Sequence, residues 1–335
     1  MTQPQEEPGL TSKARSPWKW VAAVAISATL LGVLVWLADP ATLADALKEA
    51  NPVWLAAGAG SFAVTNLCRW LRLVILLGPN HRPQASWLMA SAGHAFLNKL
   101  LPLRTGELTF PLLLRKVTDT PLATGGLYLA TMRIVELACL VPLYAAAMAT
   151  WAASAAQDLG AVQGLLWAAS GLSVGVLLGL PMLLQFGLKV GDKLLAKVGQ
   201  RGDKIRRALN KSATELGKLG HSGVARLSVV TIVMWLGLFG VFHTSLLAFG
   251  VDVTLAQSVV GSGGGIMTNL LPVNGVGSFG TLEAGWTAGL VATGAPLGPV
   301  VAAGLAMHLL VVAGSGVFAA LGTLALWTQR TPQGG

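Results

Sequence analysis

Six apolar runs divide the chain, at 18–38, 52–78, 121–152, 162–188, 225–249 and 296–327. Each reaches the roughly 20 residues that an α-helix needs to cross the hydrocarbon core of a bilayer. Two further stretches, 84–117 and 254–292, are equally apolar but broken in the middle by glycine, proline and polar residues. The first breaks at NKLLPLRTGE (Asn98 to Glu107), the second at NLLPVNGVGSFGTLE (Asn269 to Glu283). Both breaks carry Asn, Leu-Leu-Pro, a glycine-containing turn and then Glu, and each broken stretch follows one full span and precedes another. This is an internal repeat. It predicts an all-α polytopic membrane protein with about six full spans plus two re-entrant helical hairpins, in which each hairpin returns to the face it entered from.

Charge placement orients these elements. Only 11% of the residues are charged and 53% are hydrophobic, against roughly 25% charged in a soluble domain. With the N-terminus inside, the outward segments contain Asp39, Asp45, Lys48, Glu49, Asp158 and Asp252, with Lys48 the lone base. The inward segments contain Arg82, Arg115, Lys116, Arg330 and the stretch 189–226, whose ten Lys/Arg face Asp192, Asp203 and Glu215. Six spans with both termini cytoplasmic satisfy the positive-inside rule, in the cell's inner (cytoplasmic) membrane. Three spans separate the start of one repeat from the start of the next, so the repeats are expected to be inverted, the pattern of transporters with a midplane site. The expected layout is a cytoplasmic tail 1–17, one transmembrane domain 18–328 and a tail 329–335. Within it lie repeat one at about 52–152, a basic cytoplasmic linker 189–224, and repeat two at about 225–327. The linker spaces apolar residues helically beneath a basic face, which suits either the anionic leaflet surface or a solvated cytoplasmic helix.

The net charge of +9 is assigned to this orienting role, and nucleic acid is not expected as a partner. Cys68 and Cys139 both lie in apolar runs and read as small packing residues. The basic tail ahead of the first apolar run resembles a signal peptide, but no small-x-small site follows, so an uncleaved span is expected.

Gly275, Gly277 and Gly280 spell G-x-G-x-x-G, the dinucleotide fingerprint. That reading needs a preceding strand and an acid about 20 residues on, whereas Glu283 is the last acid in the chain. The glycines are assigned instead to turning and close packing at a hairpin tip. Charges at membrane depth are costly and so point to function. Lys99 and Arg104 flank a break where a half-helix begins near Thr105, which places cations beside a helix N-terminus and suits a phosphate. Asn98 and His94 lie nearby; Asn269, Asn274 and Ser278 line the second break. Glu107 and Glu283 hold equivalent positions and can cap, pair or exchange protons. Arg133 and Glu136, three apart, share a helix face and can be a structural ion pair or part of a site. Arg69 and Arg72 can snorkel to the interface or join the site. His308 reads as a packing residue. No H-E-x-x-H, C-x-x-C, Walker A run or acidic metal cluster is present, so neither enzyme activity nor a cofactor is expected.

Asn98, Leu101, Pro102, Gly106, Glu107, the RIVE run with Arg133 and Glu136, and Leu271, Pro272, Gly275, Gly277 and Glu283 together resemble the transmembrane region of lysylphosphatidylglycerol synthases and its stand-alone flippase-like relatives. The resemblance spans roughly 20–328 and implies movement of a lipid or its headgroup between leaflets, with membrane lipids, anionic headgroups among them, as partners. The sequence carries no soluble aminoacyl-transfer domain, so synthesis of lysyl-lipid is not expected of it. The second hairpin is neutral at VNGVGS, where the first is basic. The competing reading is a membrane enzyme acting on a phospholipid or polyprenyl phosphate, whose known architecture also uses inverted repeats; a third is a non-transporting partner of lipid synthesis.

Overall fold

A computed structural model describes residues 28–33, 35–37, 39–79, 81–101, 105–195, 216–217, 219–268 and 276–330. Ten helices are labelled here in chain order: α1 (Pro40–Lys48), α2 (Pro52–Leu77), α3 (Leu88–Leu100), α4 (Thr109–Thr118), α5 (Leu122–Ser154), α6 (Ala161–Leu195), α7 (Gly220–Ala248), α8 (Leu255–Thr268), α9 (Thr281–Ala292) and α10 (Leu297–Arg330). No strand occurs among the described residues. Local chemistry fixes several boundaries. Asn51 caps α2 by accepting from the Val53 N–H at 2.9 Å, with Pro52 at the first helical position, where its missing N–H costs nothing.

Among the described residues, five helical segments are long and apolar enough to cross a membrane: Pro52–Leu77, Leu122–Ser154, Ala161–Gly187, Gly220–Ala248 and Leu297–Gln329. They coincide with five of the six apolar runs, and the protein is an all-α multi-pass membrane protein. Of the first run, 18–38, residues 28–33 and 35–37 are helical and the rest lie outside the described residues. Most of the basic linker also lies outside them. The outward side of α6 is a row of exposed apolar side chains, among them Leu165, Leu172, Leu178, Met182 and Phe186, a surface that suits lipid tails.

The two broken stretches form pairs of short helices. Helices α3, α4, α8 and α9 have 13, 10, 14 and 12 residues, about 15–21 Å each at 1.5 Å per residue, too short for a core ~30 Å thick. Within each pair the two helices pack on one another, and α3 also packs on α10 while α8 packs on α5. Helix α3 further touches the turn Val276–Ser278, so the breaks of the two hairpins meet. Under the first hairpin lies a core of Leu73, Trp87, Phe110, Leu114 and Val135, and under the second one of Phe242, Leu246, Trp286, Leu290 and Val301.

The fingerprint glycines have the conformational role expected of them where they are described. Gly277 and Gly280 adopt φ of 69° and 82°, a left-handed region closed to most side chains, and Gly275 lies outside the described residues. Four other glycines set the spacing of the second hairpin. A Cβ at Gly289 would collide with the Gly261 carbonyl oxygen, and one at Gly264 with the Gly285 carbonyl oxygen. Helices α8 and α9 therefore cross backbone to backbone, as small residues permit in lipid. Gly289→Ala is expected to destabilise the protein by about 1–3 kcal/mol through this overlap. Gly171→Ala, where a Cβ meets open space, is expected to leave stability unchanged or raise it; thermal denaturation of both variants in one detergent checks the contrast.

Candidate functional site

The first break delivers its carboxylate to α5. A 3₁₀ turn, Thr105–Leu108, presents Glu107 to Arg133, whose Nη2 donates to Glu107 Oε1 at 3.1 Å. Arg133 Nη1 donates to Glu136 Oε2 at 2.7 Å, and Arg72 Nη1 of α2 donates to Glu136 Oε1 at 2.6 Å. Arg72 also donates to the Met132 carbonyl oxygen at 3.3 Å, and the Trp235 indole of α7 donates to the Glu136 carbonyl oxygen at 3.1 Å. One chain of charge thus links the first hairpin, α5 and α2. Exposure rises along it: the side chains of Arg72 and Glu136 are 2% and 17% exposed, those of Arg133 and Glu107 41% and 35%. The inner end is structural in character and the outer end is open to a ligand.

Two more cations lie in Coulomb range of this chain. Arg69 interacts with Glu136 and Arg133, and Lys99, at the C-terminal end of α3, interacts with Arg69 and Arg133. Among the described residues neither has a carboxylate partner; Arg69 reaches the Asn66 side-chain oxygen at 3.5 Å and lies over the Phe62 ring, 6.0 Å from its centroid. The four cations Arg69, Arg72, Lys99 and Arg133 face two carboxylates, Glu107 and Glu136, a local excess of two positive charges. Asn98 completes the edge: its Oδ1 is buried without a hydrogen-bond partner. Gly106 packs so tightly on Asn98 that any Cβ there would strike its backbone. His94 stands behind the site, its Nδ1 3.1 Å from Thr109 Oγ1.

Asn98, Lys99, Glu107, Arg133, Glu136, Arg69 and Arg72 are therefore gathered in one region. Arg104, Asn269 and Asn274 lie outside the described residues. Glu283 belongs to a separate, sealed arrangement. Its Oε2 accepts from the Gly280 N–H at 2.7 Å, its Oε1 is 2.5 Å from His308 Nδ1, and both side chains are 0–1% exposed. With both oxygens engaged and no exposed surface, it is not offered to a ligand in this conformation. Arg72 likewise does not snorkel; it is buried against Glu136. His308, read from sequence as packing, is a carboxylate partner. A signal for this was present, because Arg133 and His308 are each the twelfth residue of their helix, α5 and α10.

An all-α membrane protein, with two broken hairpins meeting at their breaks and a surplus of half-buried cations beside one of them, is the class that fold and site define. The model of the family described as the lysylphosphatidylglycerol synthase transmembrane region matches residues 20–322, and the chain belongs to this family. Searches of curated proteins and of solved structures returned no match. The protein is thus a membrane protein of a family tied to lipid synthesis or flipping.

The exposure gradient separates two glutamates that look alike in sequence. Glu136→Gln removes the carboxylate bonded to the buried Arg72 guanidinium and is expected to cost about 3–5 kcal/mol. Glu107→Gln, at the half-exposed end, is expected to cost about 1 kcal/mol or less. Thermal or denaturant unfolding in matched detergent distinguishes them, and equal losses would contradict the gradient.

Proposed function

We propose that the protein is a lipid translocase that moves an anionic lipid headgroup between leaflets without ATP and without breaking a bond in the lipid. The observation that carries this reading is the pair of cations, Arg69 and Lys99, held half-buried at the break of a hairpin with no carboxylate partner among the described residues. Unpaired charge in a low-dielectric interior is costly, and a phosphate brought by a lipid offsets that cost while its tails stay in the bilayer. The half-exposed Arg133 and Glu107 and the unpartnered Asn98 oxygen supply further contacts for a headgroup.

The architecture supports a moving part. Helix α3 of the first hairpin packs on α10, and α8 of the second packs on α5, while α2 packs extensively on α7. Exchanging the two halves preserves this pattern, which is what an inverted repeat produces. Rocking of one half against the other would pass the headgroup from leaflet to leaflet. The charge distribution supports an inner (cytoplasmic) membrane location with both termini cytoplasmic as part of this reading.

Single cysteines at Gln84 and Lys116, in a background lacking Cys68 and Cys139, are expected to label from the cytoplasmic side, and those at Asp252 and Thr293 from the outside. Members of either pair labelling from opposite faces would exclude re-entrant hairpins.

The site is tested by lipid affinity. Each charge-assisted contact contributes about 1.5–3 kcal/mol, so Arg69→Gln with Lys99→Gln is expected to weaken phosphatidylglycerol binding by about two to four orders of magnitude. Arg226→Gln, on an exposed surface, removes a screened charge and is expected to cost no more than about 1 kcal/mol. Native mass spectrometry in nanodiscs measures both, with melting temperature as the folding control. Unchanged affinity in the double variant would remove these cations from the site. Release of phosphate from a polyprenyl pyrophosphate, or hydrolysis of the phosphodiester of phosphatidylglycerol, abolished by Glu107→Gln, would replace a translocase with an enzyme.

A further inference from the structure

The charges at the first break do not balance. Glu136 accepts from both Arg72 and Arg133, and Glu107 accepts from Arg133 again, so two carboxylates are taken up by two arginines. Arg69 and Lys99 lie in Coulomb range of one another and of Arg133. Among the described residues gathered here four are cations and two are carboxylates, which leaves two positive charges over. Glu283 of the second hairpin bonds to Gly280 and His308 and to none of these cations. By sequence, the residues joining Leu101 to Thr105 add a base, Arg104, and no acid. The helix ends at the break leave the balance unchanged, because the C-terminus of α3 and the N-terminus of α4 carry opposite partial charges of about half a unit each.

We infer that the site is matched to a lipid that ends in a phosphate monoester, such as phosphatidic acid or a polyprenyl phosphate, in preference to a phosphodiester such as phosphatidylglycerol. As the class of lipid translocated, this rests on the translocase reading; as a binding preference, it stands on the charge balance and the border of the site. A monoester carries about −1.5 to −2 charges at neutral pH, whereas a diester, with a single ionisable oxygen, carries one. In a partly buried site a cation left unmatched keeps its desolvation cost without the attraction that offsets it. A diester neutralises one of the two surplus charges and leaves the other. A monoester neutralises both, and its three free oxygens let Arg69, Lys99 and the half-exposed Arg133 each donate to one. Asn98 Oδ1, buried without a hydrogen-bond partner, can only accept; it can take a hydroxyl or water but not a phosphate oxygen, and it does not enter the balance.

The border of the site favours a lipid over free phosphate. On α5 the residue one turn beyond Arg133, on the same helix face, is Leu137, which is 52% exposed. Glu107 is followed by Leu108 and, one turn on, by Leu112, which are 69% and 56% exposed. Apolar side chains thus adjoin the charged edge on both elements that form it. A phosphate attached to a hydrocarbon tail uses this surface together with the cations, and free phosphate uses the cations alone.

Phosphatidic acid and phosphatidylmethanol with identical tails differ by one methyl group and one negative charge, and so separate charge balance from headgroup size. Native mass spectrometry of the whole protein in phosphatidylcholine nanodiscs, at about pH 8 where the monoester is dianionic, reads both affinities. Phosphatidic acid is expected to bind about tenfold or more tighter than phosphatidylmethanol. Lys99→Gln brings the surplus to one and is expected to reduce that preference to about threefold or less. Arg69→Gln is expected to do the same and covers a failure of the first variant to fold. Glu107→Gln raises the surplus to three and is expected to widen the preference, a change of opposite sign that a loss of folding cannot produce. Inorganic phosphate is expected to displace phosphatidic acid only at about a hundredfold excess or more; displacement at equal concentration would make the ligand free phosphate and overturn the assignment to a lipid. Equal affinity for the two lipids in the wild type, or a preference unchanged in both neutralising variants, would overturn the monoester inference. If Arg69→Gln with Lys99→Gln still abolishes binding of both lipids in that case, the anionic-lipid site of the proposed function stands. Selective binding by a protein whose vesicles move neither lipid between leaflets faster than protein-free vesicles would reject translocation and leave the monoester preference standing.

Discussion

The bridging carboxylate of Glu136 is the interaction on which the first half of the molecule depends. It accepts from Arg72 on one oxygen and from Arg133 on the other, and so ties α2 to α5 in a medium where an unpaired guanidinium is prohibitive. Arg133 is thereby held in the one orientation from which it also reaches Glu107. The position of the first hairpin is a consequence of that chain. The same bridge consumes the two arginine charges nearest the core, which leaves Arg69 and Lys99 as the surplus. What the site offers an anion is what the structural pairs do not use.

The second hairpin is held by different means. Its helices approach through glycine, with Gly261 against Gly289 and Gly264 against Gly285, and dispersion between backbones replaces charge. Its buried carboxylate, Glu283, lies between Gly280 and His308, and α8 is further bonded through Ser258 to His243 and through the Val260 carbonyl oxygen to Tyr144. Arginine-linked side chains tie the first hairpin to its neighbours, and close backbone contact through glycine joins the two helices of the second.

A good part of this was legible in the sequence. Five full spans and both broken stretches followed from hydropathy and helix-breaking residues, because the cost of exposing backbone or charge to lipid is paid segment by segment. The fingerprint glycines were assigned to turning, and Gly277 and Gly280 do turn the chain. The i,i+3 spacing of Arg133 and Glu136 placed them on one face, and they pair. The crossing glycines of α8 and α9 passed unremarked, since glycine in an apolar run is ordinary until the facing helix is known.

By itself, then, the sequence determined the class of the protein: a helical chain in a bilayer, broken twice, with charge at the breaks. These are local properties, set by each segment's own solvation. The choice of partners belonged to the tertiary structure. Arg72 and Glu136 are 64 residues apart, Glu107 and Arg133 26, Glu283 and His308 25. Several oppositely charged partners were available to each, and only the packing of helices decides which lie within 3 Å. Because neutralisation in a low-dielectric interior is a property of pairs and not of residues, the surplus at Arg69 and Lys99, and the sealed contact between Glu283 and His308, came into view only once the partners of the other described charges at the breaks were known.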